Sequence, residues 1–515
     1  MSDNKSKPVK TVVFMMAATL LSKVLGLLRE TLLASHYGAG NSVADAFSAA
    51  LSVPSTFFDI LFSAAILGCF VPIYNSFGEN GEKADRFACN FLSIVSLFTG
   101  LLALFGIIFA EPIINIVTPG LEDPALAVRT VRILFPMIIF TGAAYTLVGL
   151  MQSKGRFFLP ALISCISNAG VIVYFVFLDG VFGITGLAVA YAASWLIQFF
   201  TLALPLAHSD FKFRVVLDFR DSAVRGALKM VLPIMIGSWL SPMTILIGKH
   251  YASPFGGVSL FNYANQTYIM VAGILVYSIC NYVFPTLSRY AGDGDTERFN
   301  SLVRTGTYTA QTIIVPVCAA VAVLSPEICA VLYMRGKFTA VNTADCAGLL
   351  RIIAFAMPAY GLIEIFDRVF YSKKKTLFPM LASGAGVLTI FAVCALGTGA
   401  LGAGLKSVAL GVCCGQWIAA AVLTLSAAVC CRGLFSSASI VRTLKLLICA
   451  VASGTAMFFV RKLIPSDPYG AGMLINLAVC AAVFAVGCAV YALLAFILKA
   501  LPSIGRTDKG GDDTL

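Results

Sequence analysis

The stretch TVVFMMAATLLSKVLGLLRETLLASH, residues Thr11 to His36, is long enough and apolar enough to cross a membrane as one helix. A transmembrane helix needs roughly 20 apolar residues to span about 30 Å of hydrocarbon. Three ionisable residues nevertheless lie inside this stretch: Lys23, Arg29 and Glu30. Because a charge at the bilayer centre is costly, such residues normally face a watery cavity or a partner. The stretch therefore predicts a polar pathway through a membrane protein.

The composition extends this prediction to the whole chain. Apolar residues make up 59% and charged residues 12%, and the mean hydropathy is +0.91, which is too apolar for a soluble surface. The apolar runs are continuous, whereas barrel strands would alternate apolar and polar residues. We therefore predict an all-α polytopic membrane protein with fourteen transmembrane helices near residues 11–36, 43–76, 86–110, 126–151, 158–179, 184–206, 224–249, 258–288, 301–324, 343–371, 377–396, 403–429, 441–463 and 472–499.

Basic residues concentrate in alternate joints between these helices. The N-terminal segment and most even-numbered joints contain several Lys or Arg, whereas the joints near 38–42, 111–124, 179–183 and 397–402 contain none. The joint at Arg335 and Lys337 is the exception. Because basic loops stay in the cytoplasm, we predict a bacterial cell membrane protein with both termini cytoplasmic. Spread over many loops, the net charge of +11 does not indicate nucleic-acid binding.

Cysteine and histidine patterns do not point to a metal or disulfide framework. Most of the fifteen cysteines fall within predicted helices and resemble small apolar packing residues. The histidines, His36, His208 and His250, lack a ligand-like spacing. We expect no metal site and no cofactor, and a coupling cation of unknown identity is left open.

An internal duplication divides the chain. Residues 132–160 (RILFPMIIFTGAAYTLVGLMQSKGRFFLP) resemble residues 351–379 (RIIAFAMPAYGLIEIFDRVFYSKKKTLFP), at an offset of 219 positions. Because each half contains an even number of predicted spans, the two halves have the same orientation in the membrane. In transporters such halves rock about a central cavity. A duplication kept only for packing is the alternative. The predicted organisation is a cytoplasmic segment (1–10), a six-helix lobe (11–207), a linker (208–221), a second six-helix lobe (222–431), two additional helices (432–500) and a cytoplasmic tail (501–515).

Charged residues in the first two helices recur at helical spacings. Lys23 and Glu30 are seven residues apart and share a face, while Arg29 points about a third of a turn away. In the next predicted helix, Asp45 and Asp59 also share a face. Bases on one helix and acids on the next predict pairing across a cavity, although structural ion pairing is a plain alternative.

A second charged group, Glu364, Asp367 and Arg368, lies in the tenth predicted helix. Asp367 and Arg368 approach its cytoplasmic end, where snorkelling explains them equally well.

Several short motifs occur in one order along the chain: SKVLGLLRE (22–30), YGAG (37–40), DAF (45–47), FVP (70–72), RGKFT (335–339) and RVFYS (368–372). Together they resemble the MurJ/MviN lipid II flippases. The resemblance implies fourteen helices, two pseudo-symmetric lobes and a central cationic cavity. It also implies transfer of the undecaprenyl-linked peptidoglycan precursor from the inner to the outer leaflet, with the last two helices forming a groove for the lipid tail.

The resemblance assigns roles to individual residues. Lys23 and Arg29 would bind the diphosphate of the cargo, because Lys offers a point charge and Arg a bidentate contact. Four acids are candidates for gating or ion coupling: Glu30, Asp45, Asp59 and Glu364. Three further residues are candidates for lining the cavity: Asn265, Gln266 and Arg368.

The chain also departs from the family pattern. The family commonly has Arg in place of Lys23 and Asp in place of Glu30, and both replacements keep the charge. Basic residues of the second helix are replaced here by Phe58 and Asp59. An acid and an arginine of the eighth helix are replaced by Asn265 and Gln266. The cavity is therefore expected to be less cationic than in the family.

These observations favour a lipid II flippase that alternates access between the leaflets for cell wall biogenesis. The expected partners are lipid II and membrane lipids, and the protein is expected to be a monomer. Alternatives are an exporter of another polyprenyl-linked oligosaccharide, a cation-coupled drug antiporter, or a non-transporting scaffold of cell-wall synthesis. An enzyme is disfavoured because the external loops are short and poor in candidate catalytic groups.

Overall fold

A computed structural model of the chain describes residues 6–58, 65–78, 81–209, 211–238, 240–431, 433–435 and 437–500. Within these ranges the chain is almost entirely α-helical and contains no β-strand. The prediction of an all-α membrane protein is confirmed.

The helices are numbered in chain order. The first eleven are α1 (Ser6–Tyr37), α2 (Ser42–Phe58), α3 (Ala65–Ser76), α4 (Gly81–Ile108), α5 (Ala110–Val117), α6 (Pro124–Leu134), α7 (Met137–Ser153), α8 (Phe158–Phe177), α9 (Asp179–Ala207), α10 (Ser222–Ser238) and α11 (Leu240–Ala252). The remaining nine are α12 (Val258–Asp293), α13 (Thr296–Val323), α14 (Ser325–Tyr333), α15 (Ala340–Ala354), α16 (Met357–Ser372), α17 (Leu377–Ala395), α18 (Leu405–Cys430), α19 (Ser437–Leu463) and α20 (Met473–Ile497).

The number of membrane spans is roughly consistent with the predicted fourteen. Within the described ranges, nine helical segments are long and apolar enough to cross a membrane, or ten if the bent pair α15–α16 is counted as one span. The other four predicted spans contain helices α1, α2 with α3, α10 with α11, and α12.

The chain forms two compact units. The first contains residues Met1–Tyr263, Leu332–Asn342 and Cys394–Val408. In it α1 packs on α8, α8 on α9, and α2 on α6 and α7, while α10 packs on α3 and α4. Stacked and tilted aromatic rings of Phe70, Phe87 and Phe91, with centroids 5.4–5.7 Å apart, form part of its buried core.

The second unit contains residues Ala264–Val331, Thr343–Val393 and Ala409–Leu515. Here α13 packs on α16, α19 and α20, and α19 packs on α20. A buried ion pair joins Arg461 of α19 to Glu327 of α14. Arg461 also donates to the carbonyl oxygens of Ile464 (3.2 Å) and Ser466 (2.9 Å), which fixes the start of the α19–α20 connection. The predicted lobe boundaries at 207, 222 and 431 stay predictions.

Both duplicated segments consist of two helices separated by a short interruption, and only the second pair is bent by more than 40°. Two residues, 135–136, separate α6 from α7, and two residues, 355–356, separate α15 from α16 with a bend of 48°. Each second helix is followed by a residue of positive φ, Gly155 (71°) and Lys374 (55°), which are also 219 positions apart. The sequence repeat therefore corresponds to a repeated broken helix and turn.

The RGKFT segment rests on the last turn of α1. The backbone N–H of Lys337 donates to the carbonyl of Ser35 at 2.8 Å. Gly336 has a φ of +58°, and a Cβ there would lie 2.3 Å from the Ser35 carbonyl oxygen. Only glycine permits both the left-handed backbone and this close approach. The Asn342 amide, which donates to the Ala39 carbonyl at 2.8 Å, extends the contact beyond α1.

Candidate functional site

Arg29 lies in a polar network inside the first unit. Its guanidinium donates to Asn168 of α8 at 3.0 Å and to Glu30 at 2.6 Å. Its guanidinium carbon also lies 5.4 Å from the ring centroid of Tyr191 on α9. Asn168 in turn donates to the Ser22 carbonyl at 3.2 Å, which joins α8 to α1. Arg29 is thus oriented by side chains from two neighbouring helices.

Three polar atoms of this network have no hydrogen-bond partner among the described residues. They are Nε of Arg29, Oε2 of Glu30 and the hydroxyl oxygen of Tyr191, all shielded from solvent. A buried polar atom without a partner is costly. The network can therefore accept a further acidic or basic group without first breaking all of its bonds.

Lys23, the second predicted diphosphate ligand, differs from Arg29. Its side chain is exposed on the surface of the protein, and it forms no ion pair within the described part of the chain. Gly26 lies between the two cations on α1, and a Cβ there would meet the Asn168 amide at 3.6 Å. Lys23 is accordingly available to a ligand, whereas Arg29 already has partners.

Asp45 in the first turn of α2 caps the start of α12. Its carboxylate accepts hydrogen bonds from the backbone N–H of Ser259 (2.8 Å), the Ser259 hydroxyl (2.5 Å) and the backbone N–H of Val258 (3.3 Å). The first N–H groups of a helix have no intrahelical acceptor, and the helix dipole attracts a negative charge there. This contact ties α2 to the beginning of α12 within the first unit.

Lys249, in the last turn of α11, was not among the predicted site residues. It is 3% exposed and donates to the carbonyl oxygen (2.8 Å) and the hydroxyl (3.1 Å) of Ser48 on α2. Two carboxylates, Glu30 and Asp45, interact with it electrostatically. Lys249 ends the seventh predicted span, where a lysine is usually interpreted as an interfacial residue. Its burial against Ser48 and its interaction with two acids could not be inferred from one sequence.

The ion pairing differs from the prediction. Among the described residues, Arg29 pairs with its own neighbour Glu30 and not with Asp45. Asp45 instead binds a helix N-terminus and interacts with Lys249. The reason is geometric, because α8 and α9 pack beside Arg29 and supply an amide and an aromatic face. Asp59 lies outside the described residues.

The second unit contains the other charged group. Arg368 donates to the Glu364 carboxylate at 2.7 Å, one turn earlier on α16. One oxygen of Asp367 is shielded from solvent and has no partner among the described residues. On α12, Asn265 is buried and Gln266 is exposed. The predicted acid and cation of α16 therefore contact each other, and Asp367 joins them as a third group.

No group of three metal-ligating side chains occurs in the described part of the chain.

The two repeats of broken helices, the many apolar spans and the buried cation network are typical of the helical membrane transporters. Solved structures support this fold. A multidrug resistance MATE family transporter of the MOP superfamily, inward-facing, aligns with a TM-score of 0.66 at 16% identity, covering 82% of this chain and 98% of that one. A structure of lipid II flippase MurJ, inward closed, aligns with a TM-score of 0.79 at 22% identity, covering 94% and 98%.

The family model described as "Lipid II flippase MurJ" matches residues 33–479. The chain belongs to this flippase family. Among curated relatives, the probable lipid II flippase MurJ of Bdellovibrio bacteriovorus is 26% identical over 74% of this chain and 75% of that protein. The probable lipid II flippase MurJ of Rhizobium meliloti is 28% identical over 74% and 73%.

Proposed function

We propose that the protein is a flippase that moves lipid II, an undecaprenyl-diphosphate-linked disaccharide-peptide, from the inner to the outer leaflet of a bacterial cell membrane. The relatives named above carry this activity in their names. The single observation that carries the proposal is Arg29, a half-buried guanidinium inside an apolar membrane protein, whose Nε is shielded from solvent and has no partner among the described residues. A diphosphate is an anion that needs such a group to enter a low-dielectric interior.

The contacts of α1 support a two-step capture of the cargo. Lys23 is exposed and has no ionic partner within the described ranges, so it makes the first electrostatic contact with a diphosphate. Arg29 lies six residues further along α1, about 9 Å at 1.5 Å per residue. Its bonds to Glu30 and Asn168 are then exchanged for diphosphate oxygens. Arg provides the planar, bidentate contact and Lys the compact charge.

Asp45 is proposed as a gating residue. Its carboxylate connects α2 to the start of α12 through three hydrogen bonds. The basic residues of the alternate joints support an orientation with both termini in the cytoplasm, so this contact lies toward the outer face. Breaking it releases the α12 N-terminus and opens that end of the first unit.

In the second unit, Glu364 and Arg368 are proposed to act in gating or ion coupling. Their ion pair lies within one turn of α16, and Asp367 contributes a further acid beside it. Ionisable groups inside a transmembrane helix pair with one another or mark an ion or substrate pathway, and one oxygen of Asp367 has no partner among the described residues. Asn265 and Gln266 are proposed to line the cargo path as neutral polar groups.

Complementation tests the proposal. The native lipid II flippase is depleted in a bacterium, and growth depends on this chain or its variants. We expect the unsubstituted protein to restore growth and Arg29→Ala to abolish it while folded protein remains in the membrane. Arg156→Ala removes an exposed arginine of the α7–α8 connection and serves as the charge-matched control, and Cys413→Ala as the packing control. Normal growth with Arg29→Ala would contradict the assignment of the diphosphate site.

A further inference from the structure

Lys249 is the buried cation that neither the sequence motifs nor the proposed capture steps use. It is 3% exposed in the last turn of α11 and binds Ser48 of α2 through two of its three N–H groups. The third N–H has no assigned acceptor among the described residues. Glu30 and Asp45 interact electrostatically with the same ammonium.

The charges in this part of the first unit balance. Arg29 and Lys249 are the cations, and Glu30 and Asp45 are the anions. Asp45 is satisfied by the start of α12, and Glu30 uses only one of its two oxygens, which accepts from Arg29. The other oxygen, Oε2, is buried without a partner in the described structure. Within this cluster, Glu30 therefore depends on Arg29 for its one direct bond.

Capture of a diphosphate by Arg29 disturbs this balance. Once Arg29 turns toward the cargo, Glu30 loses its one hydrogen bond in the described structure and is left a buried carboxylate without a direct partner. Removing one partner of a buried ion pair is strongly unfavourable. The exchange proceeds only if another cation takes over Glu30, and a flexible lysine with one free N–H can do so.

We propose that Lys249 is a positioning residue that becomes the counter-ion of Glu30 when Arg29 engages the diphosphate. This inference rests on the proposed function. Lys249 binds no cargo directly; it makes the release of Arg29 energetically accessible.

The test measures binding of undecaprenyl diphosphate to purified protein, together with the thermal unfolding midpoint of each variant. Lys249→Met should weaken the affinity by about tenfold or more, equivalent to about 1.4 kcal/mol, and Lys249→Arg should keep it within about threefold. The double variant Lys249→Met/Glu30→Gln removes both charges and should regain most of the lost affinity. Lys406→Met, at an exposed lysine of the same unit, is the matched control.

The outcomes separate this inference from the proposed function. If the unsubstituted protein does not bind undecaprenyl diphosphate, the proposed function is overturned, and this inference with it. Binding that Lys249→Met leaves unchanged overturns this inference alone, as does a lowered unfolding midpoint with unchanged affinity. A double variant that binds as weakly as Lys249→Met also overturns it. If Lys249→Met yields no folded protein, a folded double variant with affinity within about threefold of the unsubstituted protein supports the inference, and a tenfold weaker one overturns it.

Discussion

Substitution of Asp45 by asparagine tests the proposed gate most sharply. The carboxylate accepts three hydrogen bonds, from Ser259 N (2.8 Å), Ser259 Oγ (2.5 Å) and Val258 N (3.3 Å). Asparagine keeps the shape and one acceptor oxygen but removes the charge. A hydrogen bond to a charged group contributes about 1.5–3 kcal/mol, against about 0.5–1.5 kcal/mol for a neutral one. The two bonds from Ser259 become neutral ones and the bond from Val258 N loses its acceptor, so the total difference is about 3 kcal/mol or more and the population with this contact open should rise at least roughly 100-fold.

A cysteine reporter measures this opening. The Val258 side chain is fully buried beside the contact, so Val258→Cys should react slowly with a membrane-impermeant maleimide applied from outside. Adding Asp45→Asn should raise the labelling rate by at least tenfold, with labelling of the protein lacking the reporter subtracted. Asp123→Asn is the matched control, because the same substitution there affects a single bond within the start of α6, which Asp123 accepts from Leu126 N at 2.9 Å. Unchanged labelling with Asp45→Asn, or an equal rise with Asp123→Asn, would refute the gate.

Three further predictions concern other parts of the molecule. Arg461→Ala should lower the unfolding midpoint and the amount of folded protein, because it leaves Glu327 buried and unpaired at a cost of about 3–5 kcal/mol. The double variant with Glu327→Gln should recover part of the loss. An unchanged midpoint for Arg461→Ala would contradict a stabilising role of this ion pair. Gly336→Ala should also lower the midpoint, since its Cβ would lie 2.3 Å from a backbone oxygen, whereas Gly348→Ala, where a Cβ meets nothing within 4 Å, should not. Glu364→Gln should slow transport at least tenfold with normal amounts of folded protein, because it removes the charge that pairs with Arg368; wild-type transport would exclude Glu364 from gating and coupling.

The sequence predicted the fold well because apolar length and composition determine which segments enter a membrane. It also identified the duplicated segments, in which the structure has short interruptions between two helices at 135–136 and 355–356. The end of α1 and its contact with Gly336 were indicated only as motifs, because the pairing joins residues about 300 positions apart. Contacts between residues so far apart in the sequence depend on how the helices pack, and the periodicity of residues along one helix does not encode this packing.

The candidate site was only partly predictable. Charged residues inside apolar runs singled out Arg29, Glu30 and Asp45, since burial of a charge is costly wherever it occurs. The partners of these residues could not be inferred: Asn168 looks like an ordinary polar residue of a span, and Tyr191 like an apolar packing residue. Lys249 was missed because it stands at the end of a predicted span, where lysines usually snorkel to the interface. The sign of a charge is visible in sequence, whereas its counter-ion depends on which helices pack together.

The most direct test of the account measures lipid II in the outer leaflet. In cells depleted of their native flippase, the fraction of lipid II accessible from outside is compared with and without this chain. The account predicts that expression restores accessibility, and that Arg29→Ala and Lys23→Ala abolish it while Arg156→Ala retains it. Well-expressed protein that leaves lipid II inaccessible, or an Arg29→Ala variant that restores it fully, would contradict the central claim.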